Sequence, residues 1–98
     1  MSETTSSKEI IETGLGTIGK VRIIKALAEE SKMVTIYGLH KKTRLKREDI
    51  KNNLEDLVRI GWVTQTKYAN VLYGINRQNK YVSQLVEFFS DAGYIGQP

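Results

Sequence analysis

Ninety-eight residues, 40% apolar and 27% charged, are enough for one hydrophobic core and leave no room for a second. Cysteine is absent and His40 is the single histidine. This excludes disulfides and thiolate metal sites and leaves neither a metal site nor a Ser/His/Asp triad to be expected. No run is apolar enough to span a membrane and none reads as a secretory signal, so the expected location is cytoplasmic.

The chain opens on the polar stretch "MSETTSS", and residues 1–13 read as a flexible tail. The stretch "GLGTIGK" follows and fits two nucleotide-binding patterns. Gly14, Gly16 and Gly19 match G-x-G-x-x-G, whereas Gly14, Gly19 and Lys20 match G-x-x-x-x-G-K. Context argues against both. "KEIIET" is too short and charged for the buried parallel strand that must precede such a loop. Val21 stands where a P-loop places a hydroxyl, and no acidic residue on a strand follows at a distance of about 20 residues.

From Thr17 the apolar residues Ile18, Val21, Ile24, Leu27 and Ala28 recur at helical spacing, with Lys20, Arg22, Lys25 and Glu29 on the opposite face. The glycines then suit a helix start: Gly16 and Thr17 at its boundary, Gly19 for close approach of another backbone. In "TIYGLHKKTRL", Thr35 is an N-cap for a short helix ending near Lys42, with Ile36, Leu39 and Tyr37 inward and His40 toward solvent. Thr43, Arg44 and Leu45 make a tight connection. "KREDIKNNLEDLVRIGWV" then carries an apolar stripe at Ile50, Leu54 and Leu57, completed by Val58 or Gly61. Glu48 and Asp49 favour its first turn through the helix dipole, and Gly61 suits the position just past its end.

Beyond Gly61 the period falls to two. "WVTQTKY" and "VLYGIN" read as a hairpin around Ala69 and Asn70, with Asn70 able to take a positive φ. A last helix is expected from about Gln78 to Asp91. Its apolar residues form two rows: Tyr81, Leu85, Phe88 and Ala92, and beside them Val82, Val86 and Phe89. One row suffices for packing on the first helix, and the other is expected at a two-fold dimer interface.

Charge is unevenly placed. The net +4 is accounted for by the stretch from His40 to Lys51, where Lys41, Lys42, Arg44, Lys46, Arg47 and Lys51 face only Glu48 and Asp49. The rest of the chain is balanced, so an anionic partner is indicated.

The order helix, short helix, turn, helix, hairpin, helix is that of a mainly α, α+β winged helix-turn-helix (14–77) followed by an extra C-terminal helix (78–98). "GTIGKVRIIKAL", "TIYGLHKKTRLKREDIKNNLEDLVRIGWV" and the hairpin, covering Leu15 to Tyr94, resemble winged-helix transcription regulators of the broad MarR-like and ArsR-like groups. Small crenarchaeal regulators and their viral relatives are similar too, so an archaeal type is expected. The resemblance implies a homodimer on double-stranded DNA, with no cofactor and no enzymatic activity. The helix at about 46–60 would enter the major groove, with Arg47 and Asn52 toward base edges. Lys41, Lys42, Lys46 and Lys51 would contact phosphates, and Arg44, where such proteins usually place Gly, would lie beside them. That Arg implies either a turn without positive φ or one built differently. The hairpin at about 62–76 would use Lys67 and Asn70 on the backbone or minor groove, whereas Trp62 and Tyr73 are core residues. Tyr81, Val82, Leu85, Val86, Phe88 and Phe89 are the expected dimer interface. Two rival functions remain open: a protein-interaction module of a larger complex, and an architectural chromatin protein without sequence preference.

Overall fold

The computed structural model describes residues 6–96. Helices α1 (Ser7–Gly14), α2 (Ile18–Ala28), α3 (Ile36–Thr43) and α4 (Arg47–Arg59) precede strands β1 (Val63–Lys67) and β2 (Val71–Ile75), and α5 (Lys80–Asp91) ends the order. Thr17 and Thr35 cap α2 and α3. Their hydroxyl oxygens accept the N–H groups of Lys20 (3.1 Å) and Gly38 (3.0 Å), which would otherwise lack partners in the first turn.

The core is built where α2, α3 and α4 meet. Ile23, Ile24 and Leu27 of α2, Leu39 of α3, and Ile50, Leu54 and Leu57 of α4 are fully enclosed. The stripe on α4 is the one its spacing predicts. That on α2 is rotated: Ile18 is 64% exposed and Ile23 is buried instead. Lys20, expected on the solvent face, turns inward with Ile23 and is only 6% exposed. Its stem is buried and its ammonium lies 2.8 Å from Asp56 of α4. Residues 20, 23, 24 and 27 share one helix face, and the Lys20–Asp56 pair ties that face to α4.

Helix α1 replaces the second half of the tail expected over 1–13; residues 1–5 lie outside the described part. Ser6 and Glu9 form a capping box. The Ser6 hydroxyl accepts the Glu9 N–H and the Glu9 carboxylate accepts the Ser6 N–H, both at 3.2 Å. The helix is then fastened by tertiary contacts. Ile10 packs on the core, the Ser7 and Tyr81 hydroxyls are 2.8 Å apart, and Gly14 lies directly against the Trp62 ring, which a Cβ there would overlap. Thus "GLGTIGK" is explained by packing. Gly14 admits the indole, and Gly19 admits Asn53, whose Nδ2 would stand 2.6 Å from a Cβ. The close neighbour of Gly19 is therefore a side chain, where a backbone was expected.

The hairpin pairs Val63 with Ile75 through Lys67 with Val71, closing on the three residues Tyr68, Ala69 and Asn70. Asn70 does not adopt the expected positive φ. The three-residue loop thus closes without the left-handed residue that such loops usually carry. Val34 adds a further rung, exchanging two 2.8 Å backbone hydrogen bonds with Tyr73 and so tying the wing to the start of α3.

Helix α5 begins after Asn79, whose side-chain oxygen accepts the N–H groups of Tyr81 (2.9 Å) and Val82 (3.2 Å). Val82 and Phe89 are buried in the core. Gly93, at φ +77°, then turns the chain back. Tyr94 meets Phe89 edge-on at 5.0 Å, Ile95 is buried, and the Gly96 N–H reaches Glu29 on α2 at 3.0 Å.

Candidate nucleic-acid interface

The turn between α3 and α4 sets the geometry of the basic surface. Arg44 adopts the left-handed conformation (φ 65°, ψ 10°) and its N–H caps α3 by donating to the His40 carbonyl at 2.9 Å. The turn therefore does need a positive φ, despite its arginine. Neighbouring bonds hold it there. Thr43 donates its hydroxyl to the Leu39 carbonyl (2.7 Å) and accepts the Leu45 N–H (3.2 Å). The Leu45 carbonyl can only accept, so His40 Nδ1, 2.7 Å away, is the donor. His40 is thus half-buried and pins the turn, where a solvent-facing role was expected. A left-handed residue with a Cβ costs about 1–2 kcal/mol, part of which glycine returns through its freer unfolded chain. Arg44→Gly is accordingly expected to raise unfolding stability by about 0.5–1 kcal/mol, measured as a higher urea midpoint at unchanged m.

With Ile50, Leu54 and Leu57 locked inward, Arg47, Glu48, Lys51 and Asn52 are exposed on the first two turns of α4. Lys46 stands exposed at its N-cap. Lys41 and Arg47 both lie against the exposed ring of Tyr37, at 5.6 and 5.2 Å from its centroid. Tyr37 was expected to face inward; it is 55% exposed. None of Lys41, Arg44, Lys46, Arg47 and Lys51 has an ion-pair partner among the described residues. Lys42 points elsewhere. Its ammonium lies 2.9 Å from Glu30 and 3.4 Å from Glu29, at the end of α2. Burial alone would lower its pKa, but the two carboxylates outweigh that and hold it above the ordinary lysine value.

The wing adjoins this face. A groove between α4 and the hairpin is lined by Lys51, Glu55, Arg59, Gln65 and Tyr73. Gln65 donates to the Tyr73 hydroxyl at 3.0 Å, whereas Lys67, Tyr68 and Asn70 stand exposed at the tip. Trp62 and Tyr73 are buried, as expected of core residues.

A second, apolar groove lies on the far side of α5, lined by Ile11, Leu15, Trp62, Tyr81, Leu85 and Phe88. Of the six residues expected at a dimer interface, Tyr81, Leu85 and Phe88 face it, and Phe88 is 63% exposed. Val82 and Phe89 are instead enclosed by the monomer, and Val86 lines a different recess with Arg77 and Ser90. Ile11 and Leu15 were not anticipated here, because α1 was not. Among the described residues no helix is long and apolar enough to cross a membrane, and no cluster of three or more His, Cys, Asp or Glu side chains could hold a metal.

No protein-family model matches the sequence, and no curated protein matches it significantly. Solved structures do share the fold. HlyU from Vibrio cholerae superposes with a TM-score of 0.74 at 17% identity, covering 94% of this chain and 97% of its own. The transcriptional repressor BigR from Xylella fastidiosa gives 0.70 at 16% identity over 90% and 85% of the two chains. A homodimeric winged helix-turn-helix DNA-binding domain from Mycobacterium bovis, a possible ArsR-family regulator, gives 0.65 at 16% identity over 95% and 90%. The chain has the winged helix-turn-helix fold of such regulators, with α3 and α4 as the helix-turn-helix and the β1–β2 hairpin as its wing.

Proposed function

We propose that this protein is a sequence-specific, double-stranded-DNA-binding transcription regulator that acts as a homodimer in the cytoplasm, without a cofactor and without enzymatic activity. The observation that carries this reading is the set of five exposed cations on and beside the first turns of α4, without ion-pair partners among the described residues, on a fold shared with a repressor and a DNA-binding domain. Arg47 presents a fork that suits guanine O6 and N7, and Asn52 one that suits an adenine edge. Lys41, Arg44, Lys46 and Lys51 set the register on phosphates. Lys67 and Asn70 extend the contact from the wing tip to the backbone or minor groove. Lys42 has no part in it, since Glu29 and Glu30 hold its ammonium. The second copy docks through the groove between α1 and α5, presenting two recognition helices to successive major grooves of a near-palindromic site.

Fluorescence anisotropy with labelled duplexes across a salt series tests the reading, using genomic fragments and a scrambled control. Strong preference for one fragment and a steep salt slope are expected from the wild type. Lys51→Ala removes one phosphate contact from each protomer, so it should flatten the slope by about two and weaken all duplexes alike. Arg47→Ala should instead reduce the preference by about tenfold or more at each half-site, the worth of one bidentate base contact. Binding without preference would assign the protein an architectural role. Absence of binding at low salt would overturn the DNA reading and favour a protein-interaction module.

A further inference from the structure

Tyr37 has no place in the contacts assigned above, yet its setting is unusual. It lies in the first turn of α3, one of the large hydrophobic side chains left exposed. Two cations from different places converge on its ring: Lys41, one turn along the same helix, and Arg47, the first residue of α4. The left-handed turn at Arg44 joins the two helices, and across it the Arg47 side chain reaches back to Tyr37. A guanidinium is planar and stacks on aromatic faces, so an adjacent ring restricts both its position and its plane. A free arginine must give up its rotamer freedom when it grips a base edge. Arg47, its guanidinium carbon 5.2 Å from the centre of the Tyr37 ring, has given up part of it beforehand.

We infer that Tyr37 is a specificity-setting, positioning residue: its ring holds the Arg47 guanidinium in the orientation that reads a base edge in the major groove. The inference rests on the DNA-binding reading above and adds a residue and a device to it. The ring, rather than the hydroxyl, does the positioning. Lys41 on the same ring serves a separate purpose, as a phosphate contact whose strength depends on charge and little on plane. Loss of the ring is therefore felt in discrimination more than in overall affinity.

The test is the ratio of affinities for the preferred and scrambled duplexes, with the salt slope measured beside it. Tyr37→Ala should narrow the ratio by about two- to fivefold at each half-site, the range of one exposed cation–π contact, and leave the slope unchanged because no charge is lost. Tyr37→Phe should restore the wild-type ratio. Tyr37→Leu, which keeps apolar bulk without a π face, should behave as alanine does. In an Arg47→Ala background the Tyr37→Ala change should have no further effect, giving a strongly non-additive double-mutant cycle. An unchanged ratio in Tyr37→Ala and Tyr37→Leu, or an additive cycle, would overturn the inference while leaving the DNA reading intact. A wild type that shows no preference for any duplex removes both. Circular dichroism melts of each variant separate loss of folding from loss of positioning.

Discussion

Trp62→Ala is expected to lower unfolding stability by about 3–5 kcal/mol, the range for truncating an enclosed tryptophan, measured as a fall in urea midpoint. The indole is 1% exposed and joins elements far apart in sequence. Gly14 of α1 rests on its face, and Tyr81 of α5 stacks beside it with centroids 6.2 Å apart and planes 24° from parallel. Removing the ring leaves α1 over a cavity and costs α5 one of its supports. A second variant separates packing from hydrogen bonding. The Trp62 Nε1–H is buried without an acceptor among the described residues, a condition that costs about 1–3 kcal/mol. Trp62→Phe keeps an aromatic face and removes that donor, so the two effects oppose each other. A change within about 1 kcal/mol of wild type is expected, far less than for alanine. Equal losses in the phenylalanine and alanine variants, both of which lack the donor, would mean that the smaller ring recovers none of the packing. Gly14→Ala tests the same contact from the other side, since its methyl group falls within the ring and must displace it.

Much of this architecture is legible from periodicity. Ile50, Leu54 and Leu57 on α4, the alternation across the hairpin and the N-caps at Thr17 and Thr35 follow from residue type and spacing. What escapes such reading depends on contacts distant in sequence. Helix α1 has only Ile10 and Ile11 as apolar markers, too few to make a stripe. Its local signal is the Ser6-x-x-Glu9 box, and the helix persists because Trp62 and Tyr81 receive it. The burial of Lys20 likewise involves a partner distant in sequence, Asp56, thirty-six positions beyond it. In the candidate site, the exposed face of α4 is visible from its stripe, so Arg47, Lys51 and Asn52 lie where helical spacing places them. Lys42 and Tyr37 do not. A basic residue in a basic run is drawn aside by two carboxylates on another helix, and an aromatic suited to a core is left outside as a platform for cations. Arg44 is a third kind of case. Composition argues for glycine at a left-handed turn, and only the surrounding bonds of Thr43 and His40 make an arginine tolerable there.

Phe88→Glu is expected to convert the protein to a monomer and to reduce affinity for its preferred duplex by about 10²–10⁴-fold, because two linked half-site contacts become one. The position discriminates well. Phe88 is largely exposed in the single chain, so a carboxylate there has water available and the monomer's fold should persist. Were this groove the two-fold interface, the same carboxylate would be buried against the apolar lining that Ile11, Leu15 and Leu85 provide, without a counter-charge. Val82 and Phe89 offer no such separation, since their replacement would break the monomer's own core. Sedimentation equilibrium and anisotropy on the same sample read the two consequences together. Loss of the dimer with loss of affinity supports the α1–α5 groove as the contact that doubles the DNA-reading surface. A variant that stays dimeric and binds normally places the interface elsewhere and leaves the groove to another partner. A monomeric variant with undiminished affinity would mean that one recognition helix and one wing suffice, and the near-palindromic site would then no longer be required.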